Sequence, residues 1–308
     1  MKVLFISSGN AKDGISPIIK NQGDSLINEG VDVQYFTIKG KGFISYLKHI
    51  RILYKHLKEN KYDLHHAHYS LSAFVATLTG CKPLVVSLMG SEINSGLIIK
   101  NMIRLFANLR WDAVIVKSLS MKRRLRISKA KIIPNGVDLN VVKPSVSQSD
   151  DSSQKTVLFA SDPAKYVKNY QLAEEAVSMV GNYHVKLKVV HSVTHGDVIK
   201  SLNNADVLLL TSFWEGSPNI VKEAMACNCP VVATNVGDIE WLFENEPGHF
   251  ISSFEPEDVA EKLTLALKFS DTYKRTNGRK RVAELGLDSV TVAKKIISVY
   301  KDVALVNG

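Results

Sequence analysis

Cysteine, long apolar runs and the common metal and dinucleotide signatures are what this sequence lacks. Its 308 residues include three cysteines, Cys81, Cys227 and Cys229, an odd number that cannot close into a disulfide framework and that suits a reducing compartment. No apolar run approaches the ~18 residues of a membrane-crossing helix, and the opening VLFISS is too short for a signal-peptide core. A cytoplasmic protein is expected. The segment after the first strand-like run, SSGNAKDGISPIIKNQGDSL, has no G-x-G-x-x-G fingerprint, which excludes a Rossmann dehydrogenase at its key motif. SDD at 149–151 resembles an Asp-x-Asp metal site only superficially, and HHAH at 65–68 has neither a carboxylate partner nor a second histidine pair, so it reads as polar lining after a strand. No metal site is expected.

What is present is an ordinary globular composition, 45% apolar and 22% charged, at a length that suits two domains. The net charge of +9 is unevenly held: residues 1–150 carry 22 Lys/Arg against 10 Asp/Glu, a net of +12, and the rest carries 17 against 20, a net of −3. A basic partner surface therefore belongs to the first half, with nucleic acid, anionic lipid or a phosphorylated substrate as candidates. FISYLKHIRILYKHLKEN, LIIKNMIRLFANLR and MKRRLR concentrate that charge. They read either as helices able to lie on anionic lipid or as crossover helices with solvated basic faces. Aromatic stacking motifs are not interleaved with the charge, so nucleic acid is not an expected partner.

Six β-rich runs, KVLFISS (2–8), VDVQYFTI (31–38), DLHHAH (63–68), PLVVSLM (83–89), DAVIVKS (112–118) and KIIPNG (131–136), alternate with helix-length segments. Runs of this kind read as strands of a parallel sheet covered on both faces. KPSVSQSDDSSQK (143–155) has no periodicity and reads as a solvated linker. The alternation resumes with TVLFAS (156–161), VKLKVV (185–190), DVLLLTS (206–212), PVVATNV (230–236) and HFISS (249–253). The expected fold class is α/β, with two doubly wound Rossmann-like domains, 1–142 and 156–291, facing across a cleft. Ligands of such sheets bind beyond the carboxyl ends of the strands, so functional residues are sought on the loops that follow them.

One such loop opens SFWEGSPNIVKEAMACNCPVVATNVGD (212–238). Ser217 suits an N-cap and Pro218 the first helical position, which would turn backbone donors toward an anion, and Gly216 allows close approach. Glu215 and Glu223 would repel a phosphate, yet each can accept two hydrogen bonds from a vicinal diol. A diphosphate flanked by two polyols, a ribose and a sugar, satisfies both halves of the stretch. That ligand is a nucleotide sugar.

EGSPNIVKEAMACNCPVVATNVGDIEWL resembles the Glu-x7-Glu region of the family 4 glycosyltransferases, retaining enzymes of GT-B fold and of the group 1 type found in surface polysaccharide biosynthesis. IPNGVD (133–138), VLFASDPAKYVKN (157–169), NNADVLLLTS (203–212), HHAHYSLSA (65–73) and VVSLMGSEIN (85–94) are similar to further family segments, in the same order. The resemblance implies a UDP- or GDP-linked sugar donor, no metal or other cofactor, and a glycan or lipid-linked acceptor. It assigns Glu215 to hydroxyls of the donor sugar, the backbone of Gly216, Ser217, Pro218 and Asn219 to the sugar or diphosphate, and Glu223 to the ribose. Lys168 matches the family's phosphate-binding lysine, a point charge on the leaving group. The arginine usual six residues earlier is Asp162 here; Lys165 either supplies that charge from the same loop or is a solvated loop residue. Gly14 resembles a glycine loop that approaches the donor phosphates, or is a plain turn, and Asn135 of IPNGVD falls on the donor side.

The same resemblance makes 1–142 the acceptor-binding domain, completed by a helix over 292–308 that crosses back to it. Met89 stands where many members carry a histidine before glycine, so that contact is absent or moved to His66 or His68, and Glu92 takes the place of an acidic residue on the acceptor side. No general base is identified, and the resemblance favours a same-face substitution in which the leaving phosphate takes the acceptor's proton. Two other readings stand beside this one: a phosphorylase or epimerase of the same fold, and a non-catalytic, membrane-associated nucleotide-sugar-binding partner. The basic first half adds the expectation of a peripheral seat on the inner face of the plasma membrane.

Overall fold

The structure is a computed structural model that describes residues 1–11, 14–40, 42–145 and 154–307. Most of the expected linker, with SDD, lies outside the described residues. The chain divides into two compact units, Met1–Gly136 with Ser289–Gly308, and Val137–Asp288.

The first unit alternates strands and helices: β1 (Lys2–Ser8), α1 (Pro17–Asn28), β2 (Asp32–Ile38), α2 (Phe43–Glu59), β3 (Leu64–His68), α3 (Ser70–Thr79), β4 (Leu84–Ser87), α4 (Leu97–Leu109), β5 (Ala113–Val116), α5 (Leu119–Leu125) and β6 (Lys131–Ile132). All pairings are parallel, in the order β2-β1-β3-β4-β5-β6. The two-residue pleat divides β1 between two cores. Leu4 and Ile6 pack with Phe74, Ile103 and Trp111 of the α2–α5 layer, and Val3 and Phe5 pack with Ile19 and Leu26 of α1.

The second unit runs β7 (Lys155–Phe159), α6 (Tyr170–Ser178), β8 (Val185–Val189), α7 (His195–Asn204), β9 (Val207–Leu210), α8 (Asn219–Ala226), β10 (Val231–Thr234), α9 (Ile239–Phe243), β11 (His249–Ser252), α10 (Pro256–Tyr273) and α11 (Gly278–Glu284). Its sheet is also parallel, ordered β11-β10-β9-β7-β8. The last helix, α12 (Ser289–Asn307), rejoins the first unit, where Ala293, Ile296 and Tyr300 fill the core beside α1. Gly136 makes room for it: a Cβ there would stand 2.8 Å from the Ser289 Cα.

The change of unit falls at Gly136 and Val137, ahead of the position at 142 read from the sequence. Residues 137–142 are held by the second unit, because the Val137 N–H donates to the Leu287 carbonyl at 2.9 Å and Arg279 donates to the carbonyls of Leu139 (2.6 Å) and Val142 (2.7 Å). Each strand-like run holds a strand, and several runs outlast their strand at the carboxyl end. The run over 206–212 becomes β9 and leaves Thr211 and Ser212 to start the next loop. Those leftover residues build the site.

Candidate active site

In the second sheet β7 lies between β8 and β9, so the loop after β7 and the loop after β9 depart on opposite sides of the point where strand order reverses. Lys168 follows β7, in a single 3₁₀ turn over Tyr166–Lys168, and Glu215 follows β9. Three hydrogen bonds fasten the loops together: the Thr211 hydroxyl reaches the carbonyls of Lys168 (3.0 Å) and Asn169 (2.9 Å), and the Phe213 N–H donates to the Val167 carbonyl at 2.9 Å. Lys168 Nζ then donates to Glu215 Oε1 at 2.5 Å, and the Ser212 hydroxyl donates to the same oxygen at 2.9 Å. The pair is partly open to solvent, with side chains 22% and 17% exposed. Lys165 is exposed and contributes its carbonyl to the Lys168 N–H, at 2.8 Å.

Gly216, Ser217 and Pro218 are buried between Glu215 and α8. The helix begins one residue later than the sequence suggests, with Asn219 first and Pro218 at the cap position, and no side chain caps it. The Ser217 hydroxyl is buried and faces the Asp238 carboxylate, whose pKa it helps to hold down. Gly237, at φ +66°, lies under this loop; a Cβ there would stand 3.0 Å from the Gly216 carbonyl oxygen.

Glu223 projects from α8 and its Oε1 meets His195 Nε2 at 3.0 Å. A reciprocal Thr194–Asp197 capping box starts α7 and puts His195 at its first position. The hydrogen bond to Glu223 raises the His195 pKa against the pull of desolvation. Next to Glu223, Lys222 is fully buried; desolvation lowers its pKa to about 8 while Asp238 and Glu223 draw it back up. Burial in turn pushes Asp238 up to about 6, opposed by Lys222. His195, Lys222, Asp238 and Ser212 were not singled out in the sequence. The T-x-x-D box was a signal for His195; Lys222 gave none, since a lysine beside a helix glutamate reads as solvated.

The first unit places its candidates differently. His66 and His68 are fully buried, which corrects their reading as acceptor contacts: His66 bonds the Tyr300 hydroxyl (2.6 Å) and the Ser87 hydroxyl (2.8 Å), and His68 Nε2 meets Gln22 Oε1 at 3.1 Å. Burial drives both pKa values down, His68 to about 3, with Lys117 adding to the effect. Both are neutral core groups that tie β3 to α12 and α1. Glu92, 2% exposed, accepts from the N–H groups of Ser70 (3.2 Å), Met89 (3.1 Å) and Gly90 (2.9 Å), so it fixes the loops after β3 and β4. Gly14 sits at φ +80° with open space where a Cβ would point, and half-buried Asn135 lies beyond β6. Beyond the carboxyl ends of β1 and β3 is a cavity of about 380 Å³ whose lining includes Ser8, Asn10, Ser16, Tyr46, Tyr69 and Ser91. Its lining is hydroxyl-rich and uncharged. Among the described residues no group of three or more His, Cys, Asp or Glu converges as a metal site would require.

The model of the group 1 glycosyl transferases matches residues 152–282, and that of glycosyltransferase family 4 matches residues 15–141. The chain belongs to the family 4, group 1 glycosyltransferases. The enzyme is 24% identical to the Escherichia coli UDP-Gal:alpha-D-GlcNAc-diphosphoundecaprenol alpha-1,3-galactosyltransferase, over 84% of this chain and 80% of that one. Its fold is similar to that of sucrose-phosphate synthase from Thermosynechococcus elongatus (TM-score 0.82, 17% identity, 98% of each chain covered). It is also similar to Anabaena HepE in complex with UDP (TM-score 0.75, 19% identity, 98% of this chain and 100% of that one). The fold is GT-B, built of two parallel-sheet α/β units.

Proposed function

We propose that this glycosyltransferase moves a sugar from a UDP-sugar to a lipid-linked glycan at an anionic membrane surface, on the cytoplasmic side, with retention at the anomeric carbon and without a metal ion. The Lys168–Glu215 pair at the switch point carries the reading. One of the three ammonium protons of Lys168 is used on Glu215, leaving two donors for the leaving phosphate. Glu215, steadied by Lys168 and Ser212, accepts from hydroxyls of the donor sugar, and the backbone of Gly216–Asn219 at the head of α8 adds partial positive charge toward the diphosphate. Glu223, steadied by His195, takes the ribose diol.

In the transfer the bond from C1 to the β-phosphate oxygen breaks and negative charge grows on UDP, where Lys168 stabilises it. The acceptor oxygen bonds C1 on the same face, and its proton passes to the departing phosphate. The E. coli relative supports the donor and acceptor classes, since it takes UDP-Gal and GlcNAc-diphosphoundecaprenol, and HepE binds UDP. A UDP-hexose holds its sugar α-linked, so that relative's α-1,3 product supports retention. The neutral cavity of the first unit suits an acceptor sugar. A groove of about 910 Å³ along α2, where Ile44, Leu47 and Tyr54 lie beside Lys48, Arg51 and Lys55, suits anionic lipid. No described helix is long and apolar enough to cross a membrane.

The test is to supply UDP-Glc, UDP-Gal, UDP-GlcNAc and GDP-Man with a short-chain GlcNAc-diphosphate lipid, with and without EDTA, and to read the new linkage by NMR. An α-linked product from a UDP-sugar, undiminished by EDTA, is expected. A β-linked product, EDTA inactivation, or transfer from GDP-Man alone overturns the corresponding part.

A further inference from the structure

Four aromatic side chains from three loops of the second unit meet beside the Lys168–Glu215 pair. Tyr166 comes from the turn after β7, Phe213 and Trp214 from the loop after β9, and Phe254 from the loop after β11. Phe213 is the hub: its ring centroid lies 5.0 Å from Tyr166, 6.2 Å from Trp214 and 5.8 Å from Phe254, with interplanar angles of 33°, 27° and 28°. These planes lie closer to parallel than to perpendicular, so the rings pack into one contiguous group. Tyr166 is 77% exposed and Phe254 44%, while Phe213 and Trp214 are half-buried. Single exposed aromatics need no explanation, but a contiguous group of them marks a surface that something covers.

The place of the group in the chain limits what that is. Trp214 is bonded directly to Glu215, Tyr166 is two residues from Lys168, and the Phe213 N–H holds the Val167 carbonyl at 2.9 Å. The rings therefore border the sugar end of the donor site, whereas the ribose, and the base beyond it, belong with Glu223 and His195 on α7 and α8. A pyranose ring fits this border. One of its faces is made of C–H groups that pack on the electron-rich face of an aromatic ring, and its hydroxyl rim remains free for carboxylate and lysine.

We propose that Tyr166, Phe213, Trp214 and Phe254 form a carbohydrate-stacking platform at the edge of the Lys168–Glu215 pair, taking the C–H face of a pyranose ring. The proposal rests on the reading of that pair as the transfer site. The ring belongs either to the donor hexose or to the terminal sugar of the acceptor, and the platform recognises the same chemistry in both.

The exposed rings are the ones to remove, since Tyr166→Ala and Phe254→Ala disturb the fold least. Saturation-transfer NMR with UDP-Glc and UDP-Gal reports sugar C–H and uracil signals separately, and a GlcNAc-diphosphate lipid of short chain reports the acceptor sugar. In the double variant the sugar signals of one ligand should collapse while uracil enhancement stays, and the KM for that ligand should rise about three- to tenfold with kcat little changed. Tyr166→Phe with Phe254→Tyr should restore both. A donor effect seen in hydrolysis and transfer alike assigns the platform to the donor, and an effect on the acceptor alone assigns it there. Unchanged sugar signals and KM values overturn the proposal, as does loss of the uracil signal, or loss of vesicle binding alone. No uracil signal from the unaltered protein would sink the reading of Lys168–Glu215, and the platform with it.

Discussion

Where β7 and β9 end, the second unit carries charge outward: Lys168 and Glu215 are 22% and 17% exposed, and Glu223 is 18% exposed beside His195. Where β3 and β5 end, the first unit turns its titratable side chains inward. His66 and His68 have no exposed surface, Lys117 is 1% exposed, and what remains open is a cavity lined by hydroxyls. Both sheets are parallel and wound alike, so the contrast comes from the loops. One set leaves a lysine and two carboxylates within reach of a ligand, as the proposed diphosphate and diol contacts require, and the other leaves an uncharged surface, as the proposed acceptor sugar requires. Changes to charge in the second unit should act on the donor and the chemistry, and changes to the buried groups of the first on stability.

The largest effect is expected from Lys168→Ala, which removes a cation from the leaving group; transfer should fall about 10²- to 10³-fold. A steady-state assay with a thermal melt checks it, and a melt unchanged to within a few degrees separates lost chemistry from lost fold. Glu223→Gln comes next. Replacing the charged acceptor of the ribose should raise the donor KM about 10- to 100-fold, with a smaller effect on kcat. A fall in kcat at unchanged KM would move Glu223 from binding to chemistry and erase the division within the second unit.

The first unit carries exposed charge on its helices, and this sharpens the contrast. Arg51→Ala with Lys55→Ala on α2 should weaken binding to anionic vesicles about 30-fold, at roughly 1 kcal/mol for each cation. Co-sedimentation checks it. Binding to neutral vesicles should not change, and transfer to a soluble acceptor should be spared.

The sheets were legible because a strand buried on both faces leaves an uninterrupted apolar run, such as PLVVSLM or DVLLLTS. Glu215 and Glu223 stand out in the sequence because carboxylates at a loop and helix start contradict an anion site unless hydroxyls are the ligand, but their pairing with Lys168 and His195, which come from elsewhere in the chain, is not visible there. The surroundings of His66 and His68 were not legible because every residue of β3 is buried, on both faces of the sheet, and Tyr300, the partner of His66, is 234 residues away. The unit boundary was misplaced for a similar reason, since Arg279 holds the carbonyls of Leu139 and Val142 from across the second unit. Long-range pairing of this sort leaves no local pattern.

Tyr300→Phe tests the inward-turned half. It removes the hydroxyl that His66 meets at 2.6 Å and leaves a buried ring nitrogen without a partner, which should cost about 1–3 kcal/mol. The melting temperature should drop several degrees while donor and acceptor KM values hold. A selective rise in acceptor KM would return His66 to the acceptor site.

The smallest effect is expected at His195, where the sign is the informative part. Its pKa is raised in the folded protein, chiefly by the hydrogen bond to Glu223. A raised histidine contributes stability that is fully present below the unfolded value of about 6.5 and is lost as pH rises through the folded pKa. Because the ring is 40% exposed, the contribution is that of a screened pair, about 0.5 kcal/mol. The melting temperature of the unaltered protein should exceed that of His195→Gln by about a degree near pH 5.5, and the two should converge near pH 8.5. Saturating UDP should shrink the acid-side difference if the ribose displaces His195 from Glu223. An acid-side difference that UDP leaves intact means that both groups share the carboxylate, with His195 holding one oxygen while the diol takes the other.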